Sequence, residues 1–302
     1  MTGKGAPSPW LPTAPCTPGH CAAHPAYDPG RPGAGTAKAG PVRSTARLVA
    51  GLGTLLLGLL LAPAAALLPA ATRLALVRHW TSTVVRAFGV RVRYEGAPAP
   101  AAGPLLVVAN HVSWLDIPLI AAVLPGRSVA KAEVRRWPVL GTLAALGGTL
   151  FIDRDGLMAL PGTVRTLTGV LAAGGRVVVF PEGSTWCGRE RGRFRPAAFQ
   201  AALDAGCAVQ PVRIDYRPTD AAAYVGTDPL GSSLWRVVST RRLTAVVRLG
   251  EPLSGALHRD RRDLAAAAQR AVARDSANRP ALSVHQRSSS RSASASSART
   301  PA

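Results

Sequence analysis

Between Leu48 and Ala71 runs a stretch of 24 residues, LVAGLGTLLLGLLLAPAAALLPAA, without one charged side chain. It is long enough to cross the hydrocarbon core of a bilayer, so the rest of the chain has to fold beside a lipid-compatible segment. It begins too far from the N-terminus, and its apolar core is too long, for a cleaved leader. Pro63 and Pro69 are expected to break its second half. Arginines flank it on both sides (Arg43 and Arg47 before, Arg73 and Arg78 after), so charge asymmetry sets no orientation. From Arg73 to Phe88, Leu76, Trp80, Val84 and Phe88 recur every four residues, with Arg78, Ser82 and Arg86 opposite. That pattern predicts an amphipathic helix with a cationic face, suited to a membrane interface. A helix over Leu48–Ala62 and this second one make a membrane-associated helical pair within residues 48–89. The competing reading, a core helix pair of a soluble domain, is opposed by the leucine-rich run.

Charge narrows the partners. The 302 residues carry 36 Lys+Arg against 16 Asp+Glu, a net +20, on a chain that is 47% hydrophobic. This combination excludes a wholly disordered basic protein and an acidic soluble enzyme. It points to polyanions: nucleic acid, anionic lipid or a phosphorylated substrate. Residues 1–47, crowded with Pro and Gly, read as a disordered arm, and the Ser/Arg string of 279–302 reads likewise. Each has a net charge of +4, leaving +12 in the body. The tail's arginine-serine character suits RNA or lipid contact, but a solvated tail explains it as well. Four cysteines in a chain this long do not make a disulfide framework and suit a reducing compartment. Cys16-x4-Cys21, with His20 and His24 nearby, lacks a second ligand pair at finger spacing, so no metal site is expected.

From Val90 onward, short β-rich runs alternate with helical patterns. Strands are expected at Val90–Tyr94, Pro104–Ala109, Arg127–Lys131, Gly148–Asp153, Arg176–Phe180, Ala208–Tyr216 and Leu243–Leu249. Helices are expected at Trp114–Leu124, Pro138–Leu146, Leu160–Ala173, Pro196–Ala205 and Arg259–Ala273. The alternation predicts a single α/β domain over 90–278 with a mixed, largely parallel sheet. No GxGxxG follows the first strand, and neither GxxxxGK[ST] nor GxSxG occurs, so nucleotide-fold and hydrolase-elbow readings lack their motifs.

Four clusters fall at expected strand ends, where α/β sheets place ligands. Asn110-His111-Val112-Ser113-Trp114-Leu115-Asp116 follows the strand Pro104–Ala109. Histidine with an aspartate five positions on can be a base and its orienter. On an ideal helix five residues turn through about 500°, leaving the two side chains roughly 140° apart. They meet only if His111 sits in an irregular turn before the helix. Asp153-Arg154 ends a second strand, and Arg154 suits bidentate phosphate binding. Phe180-Pro181-Glu182-Gly183-Ser184 makes a tight turn that would aim Glu182 and the amides of Gly183 and Ser184 outward. Pro211 interrupts a fourth strand, as expected of an edge, a bulge or a ligand wall.

Taken in order, these clusters resemble the lysophospholipid acyltransferase family, typified by 1-acylglycerol-3-phosphate acyltransferase. Asn110 to Asp116 match its NHxSxxD motif. Lys131-Ala132-Glu133, Trp137-Pro138, Gly141 and Phe151-Ile152-Asp153-Arg154 are similar to the second motif, Phe180–Ser184 to FPEG[ST], and Pro211 to the proline motif. The resemblance spans about Val90 to Pro252 and the helical pair before it. It implies acyl transfer from acyl-CoA or acyl-carrier protein to the free hydroxyl of a lysolipid, most simply 1-acyl-sn-glycerol-3-phosphate, at the cytoplasmic face of the cell membrane. His111 would be the base and Asp116 its orienter. Arg154, Glu182, Gly183, Ser184 and, as a helper, Lys131 would hold the acceptor, and Pro211 would shape the acyl-donor side. It implies neither cofactor nor metal. Its partners are membrane lipids and the two co-substrates, with nucleic acid reduced to a minor possibility.

One departure stands out. Where many family members carry Arg soon after FPEG[ST], this chain has Thr185-Trp186-Cys187-Gly188, and its arginines come later, at 189, 191, 193 and 195. That keeps another acceptor, such as lyso-ornithine lipid, open. Two readings from other classes compete: a non-catalytic basic membrane-binding protein, and a thioesterase or lipase with Ser113 as nucleophile.

Overall fold

The computed structural model describes residues 16–17, 20–21, 37–96, 103–137, 139–152 and 159–274. Most of the Pro/Gly-rich arm, the whole Ser/Arg-rich tail, and Asp153 and Arg154 lie outside the described residues. Two-residue strands β1 (Cys16–Thr17) and β2 (His20–Cys21) pair antiparallel. Helices α1 (Pro41–Ala66) and α2 (Ala70–Ala87) follow, then β3 (Arg91–Gly96), β4 (Leu105–Ala109), α3 (Asp116–Ala121) and β5 (Arg127–Lys131). A 3-10 turn (Ala132–Arg136) leads to α4 (Leu140–Leu146), β6 (Leu150–Ile152), α5 (Leu160–Ala172) and β7 (Arg176–Val179). The chain continues through α6 (Ala197–Asp204), β8 (Ala208–Arg217), α7 (Thr219–Ala222), α8 (Leu230–Ser239), β9 (Thr244–Leu249) and α9 (Arg261–Arg274).

The sheet has seven strands in the order β3-β9-β8-β4-β7-β5-β6. Strands β8, β4, β7, β5 and β6 are mutually parallel, and β9, paired with parallel β3, runs against β8. The expected mixed, largely parallel sheet is therefore observed. All five residues of β4 are buried. Leu105, Val107 and Ala109 face one apolar layer, with residues of α2, α3 and α8. Leu106 and Val108 face the other, with residues of α5, α6 and α9. A strand covered on both sides reads as a continuous apolar run, which is what LLVVA is.

Three expectations need correcting. The first helix starts at Pro41, inside the residues read as a disordered arm, because Pro41 is tolerated in a first turn and Ser44 and Gly51 are buried against the body. The helix also runs through Pro63, which removes one N–H from the last turn without ending the helix before Ala66. Third, β8 lies between β9 and β4, so Pro211 is not on an edge. Its carbonyl accepts Gly250 N–H at 3.0 Å, so its donorless side faces the segment between Gly250 and Leu253, where the ladder to β9 is interrupted. The bulge expectation fits; the edge expectation does not.

Helices α1 and α2 form an antiparallel hairpin. A Cβ on Gly51 would strike the ring of Phe88, and one on Gly58 the ring of Trp80, so both glycines let the helices approach closely. Trp80 Nε1 donates to the Thr54 carbonyl at 3.0 Å. By length and composition α1 could cross a membrane, and only 6% of its apolar window is buried. Leu60, Leu61, Leu67, Leu68, Leu74 and Leu76 are exposed around the hairpin tip.

Candidate active site

The register Val108↔Val179 brings β4 and β7 to a common level, so the turns that follow them emerge side by side. Asn110 continues the β4–β8 ladder with its side chain. Its Oδ1 accepts Ile214 N–H at 2.8 Å and its Nδ2 donates to the Ile214 carbonyl at 2.9 Å. The main chain is thereby released from the sheet one residue before His111. Residues 111–115 form an irregular turn and α3 starts at Asp116, the geometry the five-residue spacing demanded.

Asp116, fully buried, collects donors from that turn. Its Oδ2 lies 2.8 Å from His111 Nδ1 and accepts the amides of Val112 at 2.7 Å and Ser113 at 2.9 Å. Its Oδ1 accepts the hydroxyl of Tyr216, on β8, at 2.5 Å. Burial and the neighbouring Asp116 charge push the Tyr216 phenol well above its ordinary pKa. The His111 ring stacks on Phe180 with centroids 4.0 Å apart. With Nδ1 committed to Asp116, Nε2 is the nitrogen left for proton transfer. The His111 side chain is 18% exposed.

Glu182 is only 3% exposed, and its Oε2 accepts the backbone N–H of His111 at 2.9 Å. Burial pushes its pKa up to about 8, against the opposing pull of the His111 and Gly192 amides and of Arg191. Gly183 closes the turn through its N–H to the Phe180 carbonyl at 3.0 Å and has φ 75°, a left-handed conformation that favours glycine. Ser184 is half-buried beside it. Trp186 N–H donates to the His111 carbonyl at 2.8 Å, so the loop after the turn clasps the histidine's main chain from its other side.

The remaining sequence candidates stand apart. Lys131 is exposed at the end of β5, which β7 separates from β4. Pro211 alternates with Val212 and Ile214, so it faces the sheet layer opposite the one that holds Tyr216. Gly141 has a packing role, because a Cβ there would meet the Arg135 carbonyl oxygen at 2.4 Å. Ser113 is fully buried, with its Oγ accepting Leu115 N–H at 3.3 Å, which denies it the access a nucleophile needs. The residue that sequence reasoning missed is Tyr216; its only signal was its place on the same strand face as Val212 and Ile214.

The helical hairpin meets this site. Arg91, at the start of β3, pairs with Thr244, which pairs with Arg217 at the C-terminal end of β8. The hairpin thus enters the sheet at the end where β4 delivers His111. Its last residues pack directly on the turn, with Phe88 edge-on to Trp114 at 5.5 Å.

Residues 91–215 match the family model described as Acyltransferase. A lyso-ornithine lipid O-acyltransferase of Pseudomonas aeruginosa is 42% identical over 206 residues, 65% of this chain and 76% of the relative. The chain belongs to the lysophospholipid acyltransferase family. A 1-acyl-sn-glycerol-3-phosphate acyltransferase of Neisseria gonorrhoeae is 39% identical over 158 residues, 50% of this acyltransferase and 62% of the relative. The crystal structure of the 1-acyl-sn-glycerophosphate (LPA) acyltransferase of Thermotoga maritima superposes with a TM-score of 0.61. It covers 78% of this chain and 93% of that one at 21% identity, a likeness of fold. This acyltransferase is an O-acyltransferase of the lysophospholipid type.

Proposed function

We propose that this chain transfers a fatty acyl group from acyl-CoA or acyl-carrier protein to the free hydroxyl of a lysolipid, with His111 as general base. The observation that carries the reading is His111 Nδ1 on the buried Asp116 carboxylate at 2.8 Å, at the C-terminal end of β4. His111 Nε2 takes the proton of the acceptor hydroxyl as its oxygen attacks the thioester carbonyl. Asp116 holds the ring and stabilises the imidazolium. The tetrahedral intermediate collapses, the C–S bond breaks, and the thiolate leaves with the proton returned from His111. A thioester is already activated, so this scheme calls on no cofactor. Arg154 would meet the acceptor's polar head, with Lys131 as a helper and Ser184 offering its amide. The exposed leucines of the hairpin support seating on the cell membrane, and intracellular thioester donors place that seat at the cytoplasmic face.

Two acceptors fit, 1-acyl-sn-glycerol-3-phosphate and lyso-ornithine lipid. The second is favoured by Thr185-Trp186-Cys187 in place of an early arginine, and by the larger share of chain common with the Pseudomonas relative. The test is an assay of purified membranes with labelled acyl-CoA or acyl-carrier protein against a panel of lysolipids. His111→Ala is the control. Label should enter one acceptor with the unsubstituted protein and none with the variant. Equal activity in the variant would overturn the base assignment, and lipid binding without transfer in either protein would support the non-catalytic alternative.

A further inference from the structure

We infer that Tyr216 is a positioning residue of the acyl transfer, acting through Asp116 on His111. The inference rests on the proposed role of His111. Oδ2 of Asp116 is the hub of three N–H donors, from the His111 ring and the amides of Val112 and Ser113. The Tyr216 hydroxyl donates to the other oxygen, Oδ1, at 2.5 Å, so the carboxylate is held from both sides. The tyrosine comes from the interior of the sheet, where its main chain pairs with Ala245 of β9 and its ring is 2% exposed. A hundred residues away in sequence, it supplies a rigid support that the turn itself cannot provide.

The same bond sets the charge that the imidazole meets. A donor on Oδ1 draws negative charge away from Oδ2 and moderates the carboxylate's hold on the imidazolium. Without it, the charge concentrates on the side of His111, and the protonated, inactive base is favoured. Among the described residues, Glu182, from the turn after β7, feels the Asp116 charge, and Arg191 faces Glu182 from the loop before α6. Neither lies between Tyr216 and Asp116.

The experiment compares the full-length protein in detergent with Tyr216→Phe and with 3,5-difluorotyrosine placed at 216. The acceptor is lyso-ornithine lipid, or 1-acyl-sn-glycerol-3-phosphate where the unsubstituted protein acylates only that. Phenylalanine keeps the ring and removes the donor. It should lower kcat roughly 10- to 100-fold, the range that the loss of one hydrogen bond to a charged group converts to, with KM unchanged. The acidic limb of kcat/KM should move to higher pH. The fluorinated phenol is a stronger donor of nearly the same shape and should move that limb to lower pH. Limbs that coincide in all three proteins would overturn the inference and leave Tyr216 a packing role. The NMR signal of the His111 Nδ1 proton, read in the same proteins, needs no acceptor. It should shift in opposite directions in the two variants, and an unmoved signal overturns the inference even if the acyl-transfer reading has failed on its own assay.

Discussion

A carboxyl oxygen of Glu182 accepts the backbone N–H of His111 at 2.9 Å, tying the turn after β7 to the turn after β4. Sequence reasoning aimed this residue at the substrate. Its burial gives it a different immediate task, holding the main chain of the base. The two turns emerge side by side because β4 and β7 are neighbours, and Asn110 and Trp186 fix the same short stretch from other directions.

The buried acid makes stability depend on pH. Burial raises Glu182 from 4.5 to about 8, so across that interval the folded chain holds a proton that the unfolded chain has lost. Its contribution is therefore full below about pH 4.5 and is lost as pH rises through about 8. The slope is at most about 1.4 kcal/mol per pH unit. Glu182→Gln keeps an acceptor for His111 N–H and cannot ionise. Thermal melts between pH 5 and pH 8 should show the unsubstituted protein losing stability relative to the variant, and parallel curves would contradict the assignment.

Asp116→Asn tests the hub. Asparagine offers one oxygen where the carboxylate offers two, and it has no charge to set against an imidazolium. Either the turn amides and His111 or the Tyr216 hydroxyl must face an NH2 group. Acyl transfer should fall by about 10²–10⁴ in kcat, with little change in KM because the residue is fully buried and touches no substrate. Steady-state kinetics on membranes, with circular dichroism to confirm the fold, checks this.

Much of the fold was legible because its sheet is built from apolar β-branched runs. Expected and observed strand limits agree within about two residues, as at Arg127–Lys131 and Ala208–Arg217. Helix α8 was missed because it opens Leu-Gly-Ser-Ser, which carries no strong helical signal. The His111–Asp116 contact was legible because the two residues share one turn and the spacing excluded a regular helix. Tyr216 was not, since a tyrosine in a strand is ordinary and only the packing of β8 beside β4 brings it to Asp116. Glu182 was singled out, but its direction was not readable, because whether a turn points outward depends on the loop that closes over it. Arg154 lies outside the described residues, so its place in the site rests on the motif alone.

The hairpin tip predicts how the enzyme is held. Leu60 is 76% exposed and Leu67 is 88% exposed, so neither supports the folded body. An aspartate at bilayer depth costs about 2.5–3.5 kcal/mol, and two of them outweigh most of what the exposed leucines contribute. Leu60→Asp combined with Leu67→Asp should move the protein from the membrane pellet to the supernatant. Its melting temperature in detergent should not change. Retention in the pellet after a high-salt wash would show that other surfaces anchor the chain.

Asn110 sets the point at which the main chain leaves the sheet, and the chemistry depends on that point. Both atoms of its amide are used on one residue of β8, the oxygen accepting Ile214 N–H and the nitrogen donating to the Ile214 carbonyl. Asn110→Asp is nearly isosteric, but it places a carboxylate oxygen against that carbonyl in a buried site. A lost bond with its acceptor left unpaired costs about 1–3 kcal/mol. Local relief would come from the turn swinging away from β8, which carries His111 off Asp116. The variant should therefore lose stability and kcat together, whereas Asp116→Asn should lose mainly kcat. A melt and a rate measured on the same preparations separate the two cases. If Asn110→Asp melts like the unsubstituted protein and works as fast, the side-chain ladder has no part in holding the base.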